Sequence, residues 1–160
     1  MTDRTGLARC REELAAARLL ADKGFEAQAV SRAYFAAFFA AETALLALGE
    51  TRSKHSGVIS AFGHHLVRSG QLDEGTGRLL RSLFERRNQA DDAPVEVPLD
   101  EAEASVRDAE RVVNAVEAWL GRRASPSATP PGAGRGAAGR GSSAPGPRGA
   151  GRGPGAWRSA

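Results

Sequence analysis

The chain has 160 residues with 22 Lys+Arg against 19 Asp+Glu, a net charge of +3 and a sequence pI of 9.7. From Gly121 onward it holds 11 Gly, 6 Pro and 7 Arg with no Asp, Glu or Lys, a composition that excludes a buried core and predicts a disordered tail over 121–160. The remaining body, 3–120, then carries 15 basic and 19 acidic residues, so the high pI is a property of the tail and does not make the folded part a nucleic-acid binder.

The N-terminus "MTDRTGLARCREEL" is charged from its third residue, which argues against a secretory leader and for a cytoplasmic protein. A first helix is predicted over about 5–22, with Leu7, Cys10, Leu14, Ala17 and Ala21 on one face and Gly24 as its stop. Cys10 is the only cysteine. Its place on that face reads as a small core residue, and a lone cysteine excludes an intrachain disulfide or a thiolate cluster.

The second predicted helix, about 26–48, is apolar nearly all round. Tyr34, Phe38, Ala41, Leu45 and Leu48 form one stripe; Phe35, Phe39 and Leu46 form another; Ala29, Ala33, Ala36, Ala40, Ala44 and Ala47 form a third made only of small residues. A helix with this pattern is central and touched on several sides, and the alanine stripe lets a neighbouring backbone come close. Its apolar run is short for a membrane span and is interrupted by Glu42 and Thr43, so no membrane role is expected.

After Gly49 the polar connection "ETRSKHSG" leads into a shorter third helix with Val58, Ile59, Phe62 and Leu66 inward. Lys54-His55-Ser56-Gly57 reads either as a phosphate-contacting loop or as a helix start capped by Ser53 or Ser56. His64 and His65 are adjacent and point apart, a poor spacing for metal chelation, and no metal or other cofactor is expected.

The fourth helix starts near Asp73 and carries Leu79, Leu80, Leu83 and Phe84 inward. Continuing from Leu83 in steps of four gives Arg87 and then Asp91, with Arg86 at the stripe's edge. An i,i+4 pair on a helix end contributes only about 0.2–0.5 kcal/mol, and the Arg-before-Asp order is the weaker one. An acid near a helix C-terminus also opposes the dipole. Stability alone does not select this arrangement, and the alternative is a polar cleft lined by Arg87, Asn88 and Asp91 that faces another helix or a second subunit. A last helix begins at "LDEAE", where Asp100 and Glu103 have capping-box spacing. Its core stripe is Ala102, Val106, Ala109, Val113, Val116 and Leu120. Five helices with short connections predict an all-α, antiparallel up-and-down bundle.

Three segments in this order, "SRAYFAAFFAAETALLALGE", "KHSGVISAFGHHLVRSGQL" and "LLRSLFERRNQADD", resemble the stand-alone HEPN-domain proteins of bacteria and archaea. The resemblance implies a helical bundle, a homodimer, and a component of a toxin–antitoxin or defence system. It also implies engagement of RNA, with possible metal-independent endoribonuclease activity, and a minimal nucleotidyltransferase as antitoxin partner. The family's site is an Arg followed about four to six residues later by a His, which together hold a phosphate and help activate a ribose 2′-hydroxyl. On this chain it points to Arg87, Asn88 and Asp91, with Arg86, Lys54 and His55 as RNA contacts. The histidines His55, His64 and His65 all precede Arg87, so the linear motif is incomplete, and Asp92 stands where the family pattern ends in Tyr. The different-class reading is a non-catalytic dimerising module that uses the same cleft. The tail's Gly-Arg-Gly units and Trp157 read either as a weak RNA-binding arm or as a low-complexity extension.

Overall fold

The computed structural model describes residues 3–92 and 94–125. They form five α-helices: α1 (Asp3–Asp22), α2 (Glu26–Ala47), α3 (His55–Phe62), α4 (Glu74–Asp92) and α5 (Leu99–Ala124), with a π-helical turn, Gly63–Val67, continuing α3. Among the described residues there is no strand, as the periodicity predicts. The tail expected over 121–160 lies, from residue 126 on, outside the described residues. Its first four residues continue α5, where Arg123 donates to the Ala47 carbonyl at 3.4 Å and its guanidinium lies 4.9 Å from the Trp119 ring.

The helix ends follow from local chemistry. After α1, Gly24 takes φ +79°, a left-handed conformation that costs glycine little. This lets Gly24 N–H reach the Ala21 carbonyl and Phe25 N–H reach the Leu20 carbonyl. Gly49, at φ +77°, closes α2 the same way, with Glu50 N–H on Leu45. Asp73 caps α4: its Oδ1 accepts from Thr76 N–H at 2.9 Å. Two expected caps are not formed. At α5 the extended Pro98 occupies the cap position, and its carbonyl accepts from both Glu101 and Ala102. The helix therefore starts one residue before Asp100, which serves in the first turn with Glu101, where the dipole favours acids. At α3 the cap position is Lys54, with no side-chain hydrogen bond from Ser53 or Ser56.

α2 is the hub, packed against α1, α3, α4 and α5. Ala29, Ala33, Ala36, Ala40 and Ala44 are all fully buried. The α1 backbone comes so near that a Cβ added at Gly6 would lie 2.2 Å from Thr43 Oγ1. By length and composition alone α2 is apolar enough to cross a bilayer, yet its surface is mostly consumed by these neighbours. The main core joins Cys10 and Leu14 from α1, Phe38 and Leu45 from α2, Phe62 from α3, Leu80 and Leu83 from α4, and Val113 and Val116 from α5. Burial pushes the Cys10 thiol up to about 12, so it is an unreactive core group. The second apolar stripe of α2 is only partly used: Phe39 packs against Arg9 and Phe35 against Arg32, while Leu46 is left exposed.

Candidate anion-binding site at Arg87

The apolar stripe of α4 ends where the register says it should. Leu80 and Leu83 are fully buried, and one turn further on Arg87 follows them down the same face. There its guanidinium lies 5.7 Å from the Tyr34 ring and 5.5 Å from the Phe35 ring, both on α2. Its Nε approaches Asp91 Oδ2 to 2.7 Å, and its Nη1 donates to Asn88 Oδ1 at 3.4 Å. The Arg87–Asp91 contact is an ion pair by distance but lacks the angle of a hydrogen bond, so the buried Nε–H has no acceptor among the described residues. Arg87 is thus held by rings and a misaligned carboxylate. A fixed cation of this kind is suited to an incoming oxyanion.

The incomplete linear motif is joined in space by another histidine. His55, the first residue of α3, stacks on Phe38 with ring centroids 4.3 Å apart, and its Nδ1 lies 3.2 Å from the Tyr34 hydroxyl. So Arg87 and His55, 32 positions apart in the chain, flank one tyrosine. The segment Lys54–Gly57 is a helix start, and His55 within it lies against Tyr34.

Electrostatics follow from this packing. Burial pushes the Tyr34 hydroxyl well above its ordinary value, against a smaller opposing effect of Arg87, so it stays protonated. It lies within hydrogen-bond distance of His55 Nδ1, and the tautomer of the ring sets which of the two donates. Burial, and then the Arg87 charge, lower the His55 pKa below 6.5, so His55 is neutral at pH 7. In that state the cluster sets the fixed positive charge of Arg87 beside a neutral imidazole. Such a set is suited to an anion. The His55 ring resonances should titrate with a midpoint below 6.5, and Arg87→Ala should move that midpoint upward by relieving the repulsion of imidazolium. A midpoint unmoved by the substitution would separate the two residues electrostatically.

The other expected site residues divide. Asn88 and Asp91 stand beside Arg87. Arg86 is turned away and held to α5, donating to Ser105 Oγ at 3.2 Å and Asp108 Oδ2 at 3.0 Å, an arrangement that locks α4 to α5. Lys54 is exposed at the α3 cap. Among the described residues no three of His, Cys, Asp and Glu converge as metal ligands. Sequence reasoning weighed Tyr34 chiefly as core and did not connect it to His55. The signal available was a tyrosine one helical turn from Phe38 on a helix otherwise free of hydroxyl-bearing aromatics.

The bundle agrees with what the chain is similar to. The family model described as the HEPN domain matches residues 6–119. The chain belongs to the HEPN family. A protein of Methanocaldococcus jannaschii whose name proposes a toxin is 36% identical over 112 residues, covering 68% of this chain and 81% of the relative. A UPF0332 protein of Thermotoga maritima is 36% identical over 110 residues, covering 68% and 83%. The crystal structure of TT1696 from Thermus thermophilus superposes with a TM-score of 0.64 at 23% identity, covering 74% of this chain and 98% of that one, a likeness of fold. In this HEPN protein α4 ends in Asp91-Asp92.

Proposed function

We propose that this HEPN protein is a toxin-type component that engages RNA through a backbone phosphate at Arg87, Tyr34 and His55. The observation that carries the reading is the Arg87 guanidinium, held over the Tyr34 and Phe35 rings, with His55 against the same tyrosine. A phosphate oxygen accepts from the Nη groups of Arg87, and His55 stands beside it. Asp91 orients Arg87 and partly neutralises it when no ligand is present. With His55 neutral and its Nδ1 engaged by Tyr34, proton abstraction from a 2′-hydroxyl is weak, so binding outlasts cleavage.

The same reading includes a homodimer, a minimal nucleotidyltransferase partner and a cytoplasmic, metal-independent role. An open cleft of about 470 Å³ beside Asp91, lined by Gln28, Ser31, Arg32 and Ala90, gives a second copy or an antitoxin a place next to Arg87. The non-catalytic interaction module is the second reading, favoured by the engaged imidazole.

The test is a parallel measurement of binding and cleavage of one single-stranded RNA, with and without chelator. The expected result is saturable binding that weakens with salt, and slow, chelator-insensitive cleavage. Removing 126–160, which hold Arg135, Arg140, Arg148, Arg152 and Arg158, should flatten the salt dependence while leaving saturable binding. Absence of saturable binding by the truncated chain would refute RNA engagement at Arg87 and leave the interaction module.

A further inference from the structure

One end of the bundle, where α1 and α4 stop and α2 and α5 start, is closed by a small core of its own. Ala21, Ala29, Val30 and Ala102 are buried there, with Leu20, Ala90 and Val97 packed on them. Larger side chains around it stay in solvent. Among the described residues five large hydrophobics are exposed, and four of them, Leu19, Phe25, Val95 and Leu99, belong to the segments that meet at this end. Each of the four is half exposed or more; the fifth, Leu46, lies near the other end of α2. Single exposed apolar side chains are ordinary, whereas a gathering of them marks a surface that something covers.

The charge at this end is one-sided. Residues 19–28 and 90–101 hold seven Asp and Glu against one base, Lys23. At the opposite end Arg123 reaches the Ala47 carbonyl and Trp119 reaches Gln71, and the segments that meet there, 45–54, 63–75 and 117–125, hold four acids and five Lys and Arg. Helix stability accounts for part of the imbalance. Glu26, Asp100 and Glu101 lie in first turns, where the dipole favours acids. Asp22 and Asp92 lie at the other pole. Each is the last residue of its helix, with no base in that last turn, and the dipole there opposes an acid. By contrast α5 ends in Arg122 and Arg123. Asp22, Asp92 and Glu96, in the connection from α4 to α5, are all exposed. Stability does not select these three acids beside exposed apolar side chains; a basic partner would.

We propose that this end of the bundle is a docking surface for a partner protein that presents a basic, amphipathic segment. Its apolar side chains cover Leu19, Phe25, Val95 and Leu99, and its Lys and Arg side chains meet Asp22, Asp92 and Glu96. Charge complementarity selects this occupant over others. An excess of acids repels RNA and an anionic bilayer alike. A second copy docked end to end about a two-fold axis would set the acidic rim on itself. The surface uses neither Arg87 nor His55, so it stands independently of the reading of that site.

The experiment selects a displayed library of random peptides of about 15 residues, long enough for an amphipathic helix, on the full chain and in parallel on Phe25→Ser/Leu99→Ser. One recovered peptide is then titrated in synthetic form. Peptides recovered on the unaltered chain and lost on the variant should be net positive and carry several large apolar residues. For the synthetic peptide, Phe25→Ser/Leu99→Ser should weaken binding at least about tenfold with little change in melting temperature, since both side chains are exposed. Asp22→Asn/Glu96→Gln should weaken it at least about threefold and flatten its salt dependence. Leu46→Ser, and Glu12→Gln/Glu85→Gln, which removes the same charge from exposed positions within α1 and α4, should each change affinity less than about twofold. Recovered peptides that are neutral or acidic, losses in these controls equal to those at the bundle end, or no peptide that depends on Phe25 and Leu99 would overturn the inference. A concentration-dependent dimer that Phe25→Ser/Leu99→Ser disperses would overturn it in favour of a second copy. Faster tryptic removal of 126–160 in that variant would overturn it in favour of chain outside the described residues.

Discussion

Arg87→Ala should lower RNA affinity about 10- to 150-fold and leave the bundle folded. The affinity loss is that of a hydrogen bond to a charged group, about 1.5–3 kcal/mol, in a site partly removed from water. The stability loss should be small for a separate reason. The Arg87–Asp91 contact is an i,i+4 pair of the weaker order on partly exposed side chains, at most about 0.2–0.5 kcal/mol, and its Nε–H is unsatisfied in the folded state. Arg87→Lys should restore little, because an ammonium keeps the charge but not the flat fork that lies over Tyr34 and Phe35. Arg107→Ala, on the exposed face of α5, is the matched control for charge. Equal losses in the two single variants would remove Arg87 from the site. A loss of folding in Arg87→Ala alone would make the pair structural.

Leu45→Ala and Leu46→Ala should differ sharply although they are neighbours of one type on one helix. Leu45 is 1% exposed in the main core, and its truncation should cost about 2–5 kcal/mol through lost transfer energy and the cavity left behind. That is a large share of the roughly 5–15 kcal/mol that holds a domain folded, so the melting temperature should fall steeply. Leu46 is 47% exposed, and its truncation should stay within about 0.5 kcal/mol. Thermal melting of the two variants side by side checks this. Equal destabilisation would mean that the second stripe of α2 is covered, by a second copy or by chain outside the described residues.

Much of the bundle was legible because its signals are local or periodic. The glycines at 24 and 49 mark helix ends, Asp73 marks a start, and the alanine and leucine stripes mark the hub helix and its neighbours. The caps at α3 and α5 were not legible. A proline carbonyl and an extended lysine there take over what Ser53, Ser56 and Asp100 were spaced to do, and spacing alone does not rank one cap above another. The site was half legible. The register of Arg87 with Leu80 and Leu83 is a property of one helix and can be counted. Its meeting with His55 is set by three helices at once, through the Tyr34 hydroxyl and the Phe38 ring, and no spacing along the chain encodes it. Arg86 shows the converse. In sequence it is as plausible a phosphate ligand as its neighbour, and only the position of Asp108 on α5 assigns it to packing.

The central claim is that Arg87 and His55 act on one ligand. A double-mutant cycle on RNA binding, with Arg87→Ala, His55→Ala and the pair, measures this directly. For residues sharing one ligand the account predicts a coupling energy of about 0.5–3 kcal/mol, with the double variant little worse than the worse single one. Losses that add to within about 0.3–0.5 kcal/mol would contradict it, placing Arg87 and His55 in separate sites or leaving one of them outside the function altogether.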